Sequence, residues 1–371
     1  VSPAEALQSR RLTVKVGSAL LVTAHGDVRT DWLDGLAADI GRLRARGQQV
    51  IVVTSGAIAL GRPRLGLSRR PTRLDEKQAA AATGQILLAR AWQEALRRVG
   101  LEAAQILITL DDTEARRRYL NARATIDTLL RLGVVPVVNE NDTVATTEIR
   151  IGDNDRLSAR VSVMASAETL VLLSDVDGLY TADPRREPGA THVPVVSEIG
   201  ADIDAMAGGS GSQVGTGGMV TKIESARIAT RAGCTVVLGK GAVNRPLSAL
   251  ETGGRCTLFP ARLSPRRARK EWIAASLGVA GTLTIDAGAV GALRRGGSLL
   301  PAGVRLVDGS FGKGDTVLIR SAEGTPVAKG LAGYDAEDAR RIAGRQTDEI
   351  EALLGWRGRD AVVHRDDMVV L

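Results

Sequence analysis

Short, almost wholly aliphatic runs separated by long amphipathic stretches constrain this chain more than any other feature. Leu12 to Val16, Val50 to Val53, Ile106 to Thr109, Val134 to Val138 and Leu170 to Leu173 are each four or five residues long. Their Val, Ile and Leu content matches strands buried on both faces. Leu33, Leu36, Ala37, Ile40 and Leu43 recur at helical spacing until Gly47, and further helices are predicted from about Lys77 to Arg98 and from about Glu114 to Leu132. This alternation predicts an α/β fold with a mainly parallel sheet sandwiched by helices. In such sheets ligands lie beyond the carboxyl ends of the strands. Lys15-Val16-Gly17-Ser18, Thr54-Ser55-Gly56, Asn139-Glu140-Asn141-Asp142 and Ser174-Asp175 all follow strands. They are expected along one sheet edge.

The pattern changes after about Arg262. Arg266, Arg267, Arg269 and Lys270 surround a boundary at Pro265, and short β-type runs follow at Thr282 to Ile285, Val304 to Val307 and Val317 to Ile319, with Gly-rich turns between them. With 371 residues, two domains are expected. The boundaries read as 1–265 for the domain that carries the chemistry, 276–360 for a small mostly-β domain, and 361–371 for a C-terminal tail.

Aromatic residues make up only 2% of the chain, so the core must be aliphatic. There is no apolar run of about 18 residues and no signal-like N-terminal pattern, which predicts a cytoplasmic protein without a membrane span. Cys234 and Cys256 sit in apolar settings without metal-type spacing, so they read as packing residues in a reducing compartment. The net charge of +7 can signal nucleic acid or anionic ligands, but an Arg-rich, Ala-rich chain with solvated helix faces explains it better.

Several chemistries lack their motifs. There is no P-loop, no protein-kinase signature and no nucleophile elbow, and His25, His192 and His364 are isolated. What remains is glycines, lysines and carboxylates, a set suited to handling anions. Glycines admit backbone N–H groups to phosphate oxygens. Lys15 beside Gly17, and Lys222 after Gly217-Gly218, bring two point charges to such turns. Asn139-Glu-Asn-Asp142 and Gly152-Asp-Asn-Asp155 lie close together, and they can bind an ammonium group or orient Mg²⁺ or a lysine.

With those segments in place, the chain resembles the glutamate 5-kinase family, of the amino acid kinase fold, in the form with a C-terminal PUA domain. The match is carried by residues 14–18, 53–61, 139–146, 152–159, 177–184, 215–222 and 364–368, and it covers the chain from about residue 11. N-acetylglutamate kinase and aspartokinase typically have Gly-Gly after the first lysine, where this chain has Gly17-Ser18. The resemblance implies ATP-dependent phosphorylation of the L-glutamate side-chain carboxylate, the first step of proline biosynthesis. It implies Lys15, Lys222 and Asp155 as catalytic residues, with Lys15 nearest the transferred group and Asp155 holding the lysines or helping with Mg²⁺. Ser55, Gly56, Asn139, Asp142 and Asn154 would bind glutamate, Asp142 taking the ammonium. Lys15, Gly17, Ser174, Asp175 and the run Thr216, Gly217, Gly218, Met219, Val220, Thr221 and Lys222 would bind ATP. Mg²⁺ is expected with the ATP phosphates, its protein ligands left unassigned.

The resemblance also implies a homo-oligomer, feedback inhibition by proline, and a separate glutamate-5-semialdehyde dehydrogenase to take the labile product onward. No RNA or membrane partner is expected. Two alternatives are another carboxylate-phosphorylating amino acid kinase and an RNA-binding protein acting through the PUA-like domain. The C-terminal segment lacks the interleaved aromatics that stack on bases, Phe311 and Tyr334 being isolated. A glutamate carboxylate is already anionic at neutral pH, so no general base is required. The chemistry calls for positioning and positive charge.

Overall fold

The computed structural model describes residues 2–67, 73–144, 154–208, 218–275, 278–356 and 358–371. The chain divides into two compact units, Val1–Glu114 with Ala122–Pro265, and Ala115–Asn121 with Arg266–Leu371.

The first unit is built on a seven-stranded sheet. Its strands are β1 (Arg11–Val16), β2 (Gln49–Thr54), β3 (Ala103–Ile108), β4 (Val135–Glu140) and β5 (Thr169–Ser174), followed by β8 (Thr235–Lys240) and β9 (Cys256–Phe259); a small hairpin of β6 (Leu179–Tyr180) and β7 (His192–Val193) lies between β5 and β8 in sequence. The sheet order is β3-β4-β2-β1-β5-β8-β9, parallel throughout except for the antiparallel pair β8 and β9. The five strands read from the sequence are present, and β8 and β9 extend the sheet beyond them.

This order explains how the polar clusters meet. From β1 the chain builds outward to β2, β3 and β4 on one side, then returns to place β5 on the other side of β1. The reversal between β1 and β5 is a topological switch point, where the connections diverge and leave a crevice at the carboxyl edge. Parallel pairing puts the ends of β4, β2, β1 and β5 on that same edge, in adjacent positions.

Two apolar cores flank the sheet. Leu12, Val14 and Val16 of β1 face the core that holds Leu36, Ile40, Leu88 and Trp92, on the helices Thr30–Ala45 and Leu74–Arg98. Leu170 and Leu172 of β5 face the other, with Ala159, Ile223 and Ala226 from the helices Asn154–Met164 and Met219–Arg231. Cys234 and Cys256 are free and buried in these layers.

The second unit contains a five-stranded sheet ordered β11-β10-β12-β13-β14, from β10 (Gly281–Ile285), β11 (Val304–Gly309), β12 (Thr316–Ser321), β13 (Pro326–Leu331) and β14 (Met368–Val370). Its core gathers Leu283, Ile285, Val317, Ile319, Tyr334 and Val363. Residues 361–371, read from the sequence as a tail, include β14, which pairs antiparallel with β13, and Met368 is buried. The short run Met-Val-Val carries too little pattern to be read as a strand without its partner. Arg266 and Arg269, in the basic boundary stretch, pair with Asp366 and Asp367 at 3.3 and 2.9 Å, and Arg267 pairs with Glu271 at 3.4 Å.

Candidate active site

Side chains of a strand alternate between its two faces. Since Val14 and Val16 enter the first core, Lys15 turns to the opposite face, toward the helix Asn154–Met164. Asp155 sits in the first turn of that helix, and Lys222 in the first turn of the helix Met219–Arg231.

The three side chains converge. Lys15 Nζ lies 2.5 Å from Asp155 Oδ1, and Lys222 Nζ lies 3.2 Å from Asp155 Oδ2. Thr221 Oγ1 donates to the same Oδ2 at 2.7 Å. Asp155 is 1% exposed, Lys15 8% and Lys222 7%, so this is a buried cluster of charge. Burial pushes the Asp155 carboxyl up, but the ammoniums of Lys15 and Lys222 outweigh it and hold the group below the ordinary carboxylate range. Among the described residues, two ammoniums thus meet on one carboxylate. A lysine in the first turn of a helix also opposes the helix dipole, an arrangement that an anionic ligand relieves. The cluster is therefore prepared for a polyanion such as a nucleotide phosphate.

A second, neutral cluster adjoins it through the neighbouring residue Asn154. Asn154 Nδ2 faces three oxygens: Ser55 Oγ at 2.6 Å, the Thr54 carbonyl at 3.0 Å and Asn139 Oδ1 at 3.1 Å. Asn139, near the end of β4, donates from Nδ2 to Gln85 Oε1 at 2.8 Å. Thr54 is itself held by Trp92, whose indole N–H donates to its hydroxyl at 3.1 Å. Asp142 follows on the same edge and is buried; desolvation pushes its carboxyl up to about 6.

The glycines frame this edge. Gly17 leads from β1 into the helix Ser18–Leu21, and a Cβ there would sit 3.6 Å from Lys15 Nζ, so the missing side chain keeps the approach to that ammonium open. Gly56 has φ +123°, a conformation that side-chain-bearing residues rarely adopt, and it turns β2 sharply into the helix Ala57–Arg64. Ser174 closes β5, buried, and donates to Asp175 at 3.0 Å. Gly218 precedes the helix that opens with Met219, Val220, Thr221 and Lys222. Thr216 and Gly217 lie outside the described residues.

The structure thus brings Lys15, Asp155, Thr221 and Lys222 into one cluster, and Ser55, Asn139 and Asn154 into another that touches it. Gln85 and the Thr54 carbonyl also belong to this cluster, and the sequence does not mark either as a site residue. A glutamine in mid-helix is ordinary, and nothing in its neighbours marks it. Among the described residues there is no group of three or more His, Cys, Asp or Glu that could hold a metal ion. Among the described residues, the buried carboxylate beside the lysines, Asp155, is shared by two ammoniums.

The sequence matches the amino acid kinase family over residues 10–240 and the PUA domain over residues 281–354. Glutamate 5-kinase from Paramagnetospirillum magneticum is 58% identical over 363 residues, covering 98% of both chains. Glutamate 5-kinase 1 from Rhizobium meliloti is 58% identical over 361 residues, covering 97% of this chain and 92% of that one. Among solved structures, carbamate kinase from Giardia lamblia bound to AMP-PNP aligns with 68% of this chain and 99% of its own, at 13% identity and a TM-score of 0.48. On the family match and these near-full-length identities, the chain belongs to the amino acid kinase family, among the glutamate 5-kinases, with a C-terminal PUA domain.

Proposed function

We propose that the chain transfers the γ-phosphoryl group of ATP to the side-chain carboxylate of L-glutamate, giving γ-glutamyl phosphate and ADP, as the first step of proline biosynthesis. The observation that carries this reading is the buried Lys15–Asp155–Lys222 cluster at the β1/β5 switch point, directly beside the Ser55–Asn139–Asn154 amide cluster. Near-full-length identity to proteins named glutamate 5-kinase supports the choice of acceptor.

In this reading residues 1–265 form the catalytic domain. The glutamate carboxylate attacks the γ-phosphorus, the bond from that phosphorus to the β,γ-bridging oxygen breaks, and ADP leaves. Lys15 and Lys222 offset the charge that gathers on the phosphoryl oxygens, and Asp155 holds both ammoniums in place. Gly17, Ser174, Asp175 and residues 216–222 border the nucleotide, with Mg²⁺ bound to its phosphates. Ser55, Gly56, Asn139, Asp142 and Asn154 bind glutamate, with Asp142 taking the α-ammonium and so discriminating against N-acylated amino acids.

No helix among the described residues is long and apolar enough to cross a membrane. We place the protein in the cytoplasm as a homo-oligomer, inhibited by proline, and passing its acyl phosphate to a separate glutamate-5-semialdehyde dehydrogenase.

The test is hydroxamate formation from glutamate, Mg²⁺-ATP and hydroxylamine, with N-acetylglutamate and aspartate as competing acceptors and Lys222→Ala as control. Glutamate-dependent hydroxamate that disappears in the control is expected. Preference for another acceptor would overturn the reading.

A further inference from the structure

We propose that Gln85, on the helix Leu74–Arg98, is a positioning residue for the acceptor subsite, acting through Asn139 to hold Asn154 ready for the substrate. The inference rests on the function proposed above and deepens it.

Its basis is the direction of a chain of amides. The Thr54 carbonyl can only accept, so the Asn154 amide must present Nδ2 to it, at 3.0 Å. Asn154 Oδ1 then points the other way. Asn154 is 4% exposed, and among the described residues no donor reaches that oxygen. A buried acceptor without a partner is costly, and one beside a catalytic cluster is suited to a donor on the ligand.

Asn139 turns its Oδ1 to Asn154 Nδ2, which sends its own Nδ2 in the opposite direction. Gln85 Oε1 receives that group at 2.8 Å, and Gln85 is oriented in turn by donating from Nε2 to Gln105 Oε1 at 3.3 Å. Every amide in the series therefore runs in one sense. Asn139 is 2% exposed, so without the Gln85 acceptor its Nδ2 has no ready access to water. Rotating the Asn139 amide to relieve this would set two donors, Asn139 Nδ2 and Asn154 Nδ2, against each other. Gln85 thus sets a geometry at a subsite it does not itself form. The helix that carries it is held close by backbone contact: a Cβ on Gly84, the preceding residue, would collide with the Ala57 carbonyl just after Gly56.

The test compares Gln85→Met, which keeps the shape and removes the acceptor, with Gln85→Glu, which keeps an acceptor oxygen. In wild type the KM for glutamate and the calorimetric Kd for glutamate are measured first. We expect Gln85→Met to raise both by about tenfold, with the KM for ATP unchanged and kcat little altered, and Gln85→Glu to stay within about threefold of wild type. In an Asn139→Ala background, Gln85→Met should add nothing, because residues acting through one another are non-additive. If the Met variant folds poorly by thermal melting, Gln85→Ala repeats the comparison at a position where a helix accepts alanine. Unchanged glutamate KM in a folded variant, or full additivity with Asn139→Ala, overturns this inference alone. A wild type that neither binds nor phosphorylates glutamate overturns the proposed function, and this inference with it.

Discussion

Asp155 Oδ1 lies 2.5 Å from Lys15 Nζ, although the two residues come from a helix and a strand that are far apart in sequence. The contact follows from side-chain alternation in β1, which sends Lys15 away from the aliphatic core and toward the first turn of the helix Asn154–Met164. Since Lys222 shares the same carboxylate, one acidic side chain sets the spacing of both cations.

Replacing Asp155 with Asn should therefore disturb both. The variant takes the shared carboxylate from two buried ammoniums, which costs about 3 kcal/mol where a buried pair is broken. Misplaced lysines should lower kcat by about 100-fold or more. Urea unfolding and steady-state kinetics read the two effects separately. The Asp155 carboxyl is held below its ordinary range, so its contribution to stability is present above the unfolded carboxylate pKa and lost as pH falls through the folded one. Acid should consequently narrow the stability gap between wild type and Asp155→Asn.

Asp142 behaves in the opposite sense. Burial raises its carboxyl to about 6, so the folded state favours the protonated form. Its stabilising effect is complete below the ordinary aspartate pKa and is lost as pH rises to about 6. Asp142→Asn should thus stabilise the free protein at pH 8 and leave it nearly unchanged at pH 4, as thermal melts would show. If the carboxylate binds the substrate ammonium, the wild-type KM for glutamate should rise as pH drops below about 6, and the Asn variant should lose that dependence along with most of its affinity.

Gly84 and Gly61 face each other's helices at backbone contact. A Cβ on Gly61 would collide with the Ala80 carbonyl, just as one on Gly84 would with that of Ala57. Alanine in place of a mid-helix glycine normally stabilises by about 1 kcal/mol. Here Gly84→Ala should do the reverse and destabilise by about 2 kcal/mol or more through overpacking. It should also raise the KM for glutamate, because it displaces the helix carrying Gln85. A rise in melting temperature would contradict this.

In the second unit, Arg269 Nη2 meets Asp367 Oδ1 at 2.9 Å, and Asp367 is buried. Asp367→Ala should destabilise that unit by about 3 kcal/mol, since a poorly exposed guanidinium loses its carboxylate. Below the melting transition kcat/KM should not change. Scanning calorimetry of the full chain would resolve the first effect, and a glutamate saturation curve the second.

Much of the architecture was legible in the residue pattern. Buried parallel strands are written as aliphatic runs and helices as 3.6-residue periodicity, so the five central strands, the covering helices and the polar turns after each strand were legible one by one. The residue types at those turns were also enough to resemble a carboxylate-phosphorylating family. Tertiary structure alone decided which of them touch. Sheet order brought the ends of β4, β2, β1 and β5 together, and face alternation chose Lys15 over Val14 and Val16 for the charged side. The antiparallel strand β9, and β14 within the expected tail, depend on neighbours that short segments cannot specify by propensity. Gln85 was silent in the sequence for the same reason. Its significance lies in the direction of a hydrogen bond to Asn139, and that direction is set by the Thr54 carbonyl on a different element of the fold.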